Sequence, residues 1–280
     1  MAERHGGLVW LASFPKSGNT WTRHFLHSLI RASDRPHDIN AMNTLTTGDS
    51  AAMWYRPCLE KPIEECSEDE IAEARPKAIK RIAESTDGLV FVKTHNALVS
   101  HHGTPMIEPS VTAGAIYIVR NPLDVAISYA SFMNVGIDHA IELMNTEGAV
   151  VPTNAKHAYE YRGSWSEHVW SWTRRSVRQL HVMRYEDMLE KPIETFSGLA
   201  RFLRIAATRG AIESAIQASS FERLKEQEDE AGFRERPETA ERFFREGRSG
   251  QWGEVLTRAQ IDAVVSSHRD EMARFGYSAA

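Results

Sequence analysis

Four short, largely apolar runs punctuate this chain, at Leu8–Phe14, Leu89–Val92, Ala115–Val119 and Leu180–Met183. Runs of that length, rich in β-formers, predict strands covered on both faces. Between them the apolar positions recur at helical spacing. Trp21, Phe25, Leu26, Leu29 and Ile30 follow Gly18, and Trp165, Val169 and Trp172 share one side of Ser164–Arg178. Further helices are expected over Leu123–Phe132, Ile193–Leu203, Arg209–Ser219 and Phe221–Glu228. Start signals sharpen several of these. Ser67 with Glu70 makes a reciprocal capping box for a helix to about Glu84, Pro122 suits a first helical turn, and Thr257 caps a last helix reaching Phe275. Short strands alternating with helices predict an α/β chain: a parallel sheet flanked by helices on both sides.

Three stretches break the pattern. Ala32–Cys66 is polar, interrupted by Pro36, Pro57 and Pro62, and carries Met42, Met53, Trp54 and Tyr55, which suits a lid or wall more than a linker. Asn134–Gly163 is a helical segment followed by polar loop. Ala231–Trp252 is rich in charge and glycine without period, the pattern of a mobile flap.

Bulk properties narrow the class. At 280 residues, 42% hydrophobic and 25% charged, the chain has the makings of one full globular core. A net charge of −5 argues against a general nucleic-acid binder, so an anionic ligand would depend on local positive charge. Cys58 and Cys66 fit no common zinc spacing or disulfide framework, no metal set is read, and no stretch approaches a membrane span or a signal peptide. The expectation is a cytoplasmic protein in a reducing compartment.

Candidate chemistry clusters where strands end, the rim at which open α/β sheets bind ligands. Lys16, Lys93, His95, Arg120 and Tyr185 each follow a strand. Strand, tight polar turn and helix at Leu8–Ile30 aim free N–H groups and a helix dipole at one anion. Lys16 adds a charge, Ser17, Asn19 and Thr20 add donors, and Gly18 leaves room for an oxyanion. From spacing alone, Ser17 and Asn19 equally suit plain helix caps. The order of Lys16 and Gly18 is not that of the nucleoside-triphosphate loop. Arg120 and Ser128 lie near one face of the next helix and suit a second phosphate, though Arg120 paired with Asp124 is the other reading. Trp21 and Phe221, read by residue type, belong to a core.

Phe14–Trp21, FPKSGNTW, closely resembles the 5′-phosphosulfate loop of the cytosolic-type sulfotransferases, usually written TYPKSGTTW. Tyr117–Phe132, YIVRNPLDVAISYASF, is similar to that family's 3′-phosphate motif, and Lys93-Thr94-His95 to its Lys-Thr-His element. The resemblance implies a P-loop-like sulfotransferase fold, one domain over residues 1–280, and 3′-phosphoadenosine 5′-phosphosulfate (PAPS) as donor, with adenosine 3′,5′-bisphosphate (PAP) as product and no metal. It implies Lys16, Ser17, Gly18, Asn19 and Thr20 at the phosphosulfate, Arg120 and Ser128 at the 3′-phosphate, and Trp21, Tyr185, Ser219 and Phe221 at the adenine. Arg245 and Gly247 match the segment that closes over the 3′-phosphate. His95 would be the general base, a task its neutral imidazole suits near pH 7, with Lys16 and Lys93 stabilising developing charge.

Departures are local. Glu246 stands where the family has Lys, with Arg248 as the candidate compensation, and Gln251 stands where it has Asp. The family's dimerisation pattern aligns with Gly253, Thr257, Arg258 and Asp262 and keeps only Thr257, so a homodimer would form by another route. SFPKSGNTW and Gly163–Thr173 are more similar to bacterial members, including those acting on glycopeptide antibiotics. The expected acceptor is a small molecule, phenolic or otherwise aromatic, accepting on a hydroxyl rather than an amine. Two other readings remain at this point: a magnesium-dependent small-molecule or nucleotide kinase, and a non-catalytic adenosine-bisphosphate binder.

Overall fold

A computed structural model describes residues 7–31, 38–174, 179–237 and 240–278. All four expected strands form, with small shifts of boundary: Leu8–Ser13, Val90–Thr94, Thr112–Val119 and Leu180–Arg184. A fifth, Thr46–Gly48, completes the sheet. In space the strands run 46–48, 90–94, 8–13, 112–119, 180–184. Leu8–Ser13 occupies the centre with every residue buried, as a run apolar up to its final serine should. It pairs in parallel with Val90–Thr94, Leu8 opposite Val90 through Ala12 opposite Thr94, and Thr46–Gly48 lies parallel to the far side of Val90–Thr94. The sheet is flanked by helices.

The chain folds as two interleaved compact units. The first comprises residues 1–14, 45–117 and 146–182. Its helix Glu68–Ala83 opens on the expected capping box: Ser67 Oγ accepts the Glu70 N–H while the Glu70 carboxylate accepts the Ser67 N–H. Ile71, Ala74 and Ala78 of that helix pack against Tyr55, Ile63, Met106 and Tyr159. Arg75 lies fully buried in this cluster, donating to the Tyr159 carbonyl at 2.8 Å with its guanidinium over the Tyr55 and Tyr159 rings. Ser164 and Glu167 form a second capping box for Trp165–Thr173. That helix ends before the expected Arg178, and residues 175–178 lie outside the described residues. Two short hairpins, Ser100–His101 with Thr104–Pro105 and Val150–Val151 with Glu160–Tyr161, complete the unit.

The second unit comprises residues 15–44, 118–145 and 183–280. Helix Asn19–Arg31 buries Phe25, which stacks on Phe196 at 4.0 Å. Helix Pro122–Met133 starts as expected, with Asn121 Oδ1 accepting the Leu123 N–H and Pro122 at its first position. Asn134, left-handed, ends it. The expected helical part of Asn134–Gly163 is Ile137–Asn145, and Thr257 with Gln260 caps Arg258–Arg274.

Two irregular stretches need correction. Ala32–Cys66, expected to be irregular, contributes an edge strand and several short helical turns; residues 32–37 of it are outside the described set. Of Ala231–Trp252, residues 238–239 lie outside the described set; between the helix that ends at Ala231 and the turn that starts at Trp252 the rest is irregular, but it is packed rather than a bare flap. Phe233 and Phe244 are buried with Ile39, Met42 and Leu224. Buried Glu228 accepts the N–H groups of Phe243 and Phe244, each at 2.8 Å, and Arg23 grips Glu235 through two bonds of 2.8 and 2.9 Å. Among the described residues no helix is long and apolar enough to cross a membrane. Cys58 and Cys66 are free thiols.

Candidate active site

In the first unit the chemistry sits where Val90–Thr94 ends. His95 Nδ1 lies 2.8 Å from the Ser13 carbonyl oxygen. A carbonyl only accepts, so Nδ1 carries a proton, and in the neutral ring that burial favours Nε2 keeps its lone pair. His168 Nε2 in turn lies 3.2 Å from the His95 carbonyl, and Tyr117 Oη 2.8 Å from His168 Nδ1. One assignment satisfies all three contacts: the Tyr117 hydroxyl donates to His168, His168 donates to the His95 carbonyl, and His95 donates to Ser13. Both imidazoles are then neutral. Burial pushes His168 down to about 3. Desolvation, then the Lys93 ammonium, likewise holds His95 well below the usual imidazole value.

The turn presenting His95 is braced from below. The Thr94 hydroxyl and the Asn96 amide both donate to Asp49 Oδ2, at 2.7 and 2.9 Å, and the Trp172 indole N–H donates to the Asn96 carbonyl. Burial raises the Asp49 carboxyl to about 6. Glu160 accepts from Ser50 and twice from Arg162. Burial alone would raise its pKa, but the Arg162 guanidinium holds it below the usual carboxylate range. None of these partners carries a sequence signal, because each is a contact between distant segments made by an ordinary polar residue.

In the second unit the turn after Phe14 is sharply bent, with Lys16 at φ 66° and Gly18 at φ 108°. A Cβ on Gly18 would stand 2.8 Å from the Tyr185 ring, so close approach as well as φ demands glycine. Lys16 Nζ lies 4.0 Å from the Phe243 ring centre and 4.5 Å from that of Phe132. Ser17 Oγ is buried and has no hydrogen-bond partner among the described residues, while Asn19 and Thr20 open the helix.

Arg120, 5% exposed, is not paired with Asp124. Its Nη1 donates to the Lys16 carbonyl and its Nη2 to the Arg248 carbonyl, both at 3.0 Å, and its guanidinium lies 4.2 Å over the Tyr185 ring. Arg120 Nε is buried without a hydrogen-bond partner among the described residues. Tyr185 meets Trp21 edge to face at 5.8 Å. Lys16, Gly18, Trp21, Arg120 and Tyr185 therefore form one connected group. Ser128 stands two turns into Pro122–Met133, half-buried.

Asp124, which spacing offered only as an alternative partner for Arg120, has a different task. Buried at 1% exposure, its carboxylate accepts the Gly250 N–H at 2.7 Å and the Trp252 N–H at 3.1 Å, tying down the end of the 240–256 segment. Charge-assisted bonds of this kind contribute about 1.5–3 kcal/mol each. Asp124→Ala is therefore expected to lower stability by roughly 3–6 kcal/mol, read as a thermal midpoint several degrees lower. An unchanged midpoint would show that the two N–H groups find water instead.

The remaining expected residues divide. Phe221 is half-buried against Phe244, and a Cβ at Gly247 would stand 2.2 Å from its ring, so Gly247 must be glycine. Ser219 is fully buried, and its hydroxyl donates to the Ala215 and Ile216 carbonyls, which spends it on the helix end. Arg245 is exposed and donates to Gln251. Glu246 binds Arg248 at 2.7 Å, and Arg248 also holds Glu254 at 2.9 Å, so the acidic replacement at 246 is neutralised locally. Thr257, Arg258 and Asp262 serve their own helix as cap and ion pair.

Comparison with known proteins identifies the family. The family model described as "Sulfotransferase domain" matches residues 7–276. Flavonol 3-sulfotransferase of Flaveria bidentis is 27% identical over 93% of this chain and 80% of its own length, and sulfotransferase 1B1 of Canis lupus familiaris 26% identical over 94% and 83%. Among solved structures, mouse sulfotransferase SULT7A1 complexed with PAP is 20% identical with a TM-score of 0.59, covering 95% of this chain and 84% of that one. Retinol dehydratase in a complex with retinol and PAP is 17% identical with a TM-score of 0.64, covering 97% and 82%. The chain belongs to the sulfotransferase domain family.

Proposed function

We propose that this enzyme moves a sulfonate group from PAPS to the hydroxyl of a small aromatic acceptor, with His95 as general base. The observation that carries the reading is the hydrogen bond from His95 Nδ1 to Ser13, which leaves Nε2 as a neutral proton acceptor. The donor site fits on independent grounds. Ser17 Oγ and Arg120 Nε are buried polar atoms without a partner among the described residues, positions where anionic ester oxygens would supply one. PAPS supplies an activated sulfonate and a stable leaving group; everything else falls to the protein.

Lys16, Ser17, Gly18, Asn19 and Thr20 hold the 5′ end, joining a point charge to backbone and side-chain donors at a helix start. Arg120 and Ser128, with Arg245 and Gly247, hold the 3′-phosphate. Trp21, Tyr185 and Phe221 supply adenine contacts, and Ser219 fixes the helix end that presents Phe221. Lys93 and Lys16 stabilise charge on the transferring group while His95 takes the acceptor's proton. Transfer rests on position and electrostatics, by analogy with phosphoryl transfer.

Residues 1–280 act as one domain, a reading supported by the single family match across 7–276. The acceptor class is argued from the relative named for a flavonol and from exposed or half-buried Met53, Trp54, Phe132 and Met133. A cytoplasmic setting and a bacterial source complete the reading, and any homodimer would form through a surface other than the family's usual motif. The test is transfer of ³⁵S-labelled sulfonate from PAPS to a panel of flavonols, simple phenols, alkyl alcohols and aryl amines. Labelling of phenolic hydroxyls ahead of amines is expected. Magnesium-dependent turnover of ATP with no labelled product would overturn it.

A further inference from the structure

The hairpin Ser100–Pro105 brings two histidines against the start of the helix Glu68–Ala83. Its turn places His102 at φ 49° and Gly103 at φ 72°, which bends the chain so that the adjacent His101 and His102 rings converge, edge to face, with centres 4.3 Å apart. In an ordinary strand, neighbouring side chains point to opposite faces. Here they share one.

Glu68 and Asp69, in the first turn of the helix, face them. His102 Nε2 lies 2.9 Å from Glu68 Oε2 and His102 Nδ1 2.6 Å from Asp69 Oδ1. His101 Nδ1 is sealed from solvent and has no hydrogen-bond partner among the described residues. One ligand atom from each of Glu68, His101 and His102 falls within 4.8 Å of the others. Around a tetrahedral ion with bonds of about 2.0–2.1 Å, ligand atoms stand roughly 3.3 Å apart, so a small side-chain adjustment closes the set.

We propose that Glu68, His101 and His102 form a surface site for one divalent transition-metal ion, with zinc as the probe ion. Two imidazoles and a carboxylate are a borderline-soft donor set that favours zinc over magnesium or calcium. Asp69, bonded to Nδ1 of His102, fixes that ring so that Nε2 faces the ion, the usual arrangement of a carboxylate behind a ligating histidine. Three protein ligands leave the fourth position to water. The ion would clip the hairpin to the helix start, a stabilising role separate from sulfonate transfer.

Full-length protein stripped with a chelator and titrated with zinc chloride by calorimetry is expected to bind one ion per chain, with a raised thermal midpoint. His101→Ala with His102→Ala is expected to weaken binding by at least about a hundredfold, and Asp69→Asn by about 10–100-fold, the usual cost of losing an outer-shell partner. Glu68→Gln, which keeps the helix cap at Ser67, should also weaken it. Magnesium should give no heat. An unchanged affinity and stoichiometry in the double variant would overturn the site, as would no zinc binding by the wild type up to millimolar concentration. Metal-free thermal midpoints of the variants separate a lost ligand from a damaged fold.

Discussion

His95→Ala is expected to lower the turnover number for sulfonate transfer by about 10²–10⁴-fold, the usual contribution of a positioned general base. Affinity for PAP should stay within about threefold, because the connected group around Arg120 contains no part of His95. Steady-state rates give the first quantity and calorimetry with PAP the second. The pH profile is a sharper check. Desolvation and the Lys93 charge favour the neutral ring, so the folded-state pKa is lower than the 6.5 of a free imidazole. The base therefore stays active as pH falls through 6.5, and the acid limb of kcat/KM is expected below that value. The same displacement sets a stability dependence of definite sign. Protons bind the unfolded chain first, so this histidine's contribution is intact above pH 6.5 and is lost as pH falls. A variant retaining more than about a tenth of wild-type turnover would remove His95 from the role of base.

How much of this was legible depended on the range of the interaction. Capping boxes at Ser67, Ser164 and Thr257 involve residues three apart, and all that sequence reading needs is the local order. Ser67 and Thr257 were read as helix starts for that reason, and Ser164 as the first residue of a helix it in fact caps. Strand 8–13 and the 115–119 part of strand 112–119 were equally plain, since a buried strand shows as a short, nearly continuous apolar run. Thr46–Gly48 was not: three residues with a polar, half-buried pattern at a sheet edge look like loop. Asp124 shows the limit most clearly. Spacing offered it Arg120, four residues back, whereas the fold gives it two backbone N–H groups from residues 250 and 252. The 231–252 segment failed for a related reason. Its charge and glycine content masked Phe233 and Phe244, whose burial depends on residues as distant as Ile39. Lys16 was recognisable as a candidate anion ligand, but its resting place over Phe132 and Phe243 joins three separate stretches of chain.

Arg120→Lys is the substitution expected to separate donor binding from catalysis. Arginine does four things at this position that lysine cannot do together. Its planar fork spans two carbonyls, of Lys16 and Arg248, at 3.0 Å each. Its face lies on Tyr185, and its buried Nε, without a partner among the described residues, is the group the proposed donor site assigns to an anionic oxygen. Lysine keeps the charge but offers one small ammonium in place of a fork, so at most one of these carbonyls stays bonded without surrendering the anion. Each lost charge-assisted bond costs about 1.5–3 kcal/mol. Loss of one bond to the donor and one to the Lys16 turn predicts PAP binding weaker by about 10²–10⁴-fold, since about 1.4 kcal/mol is tenfold. The donor KM should rise steeply, while turnover at saturating donor falls less, because His95 and its bond to Ser13 are untouched. Arg120→Ala should add a stability loss, as the Lys16 and Arg248 carbonyls lose their donor and Tyr185 its cation. The comparison decides between two roles for the guanidinium. If Arg120→Lys binds PAP within about threefold of wild type while Arg120→Ala is merely less stable, Arg120 is a structural tie between the Lys16 turn and Arg248, and the 3′-phosphate is held elsewhere.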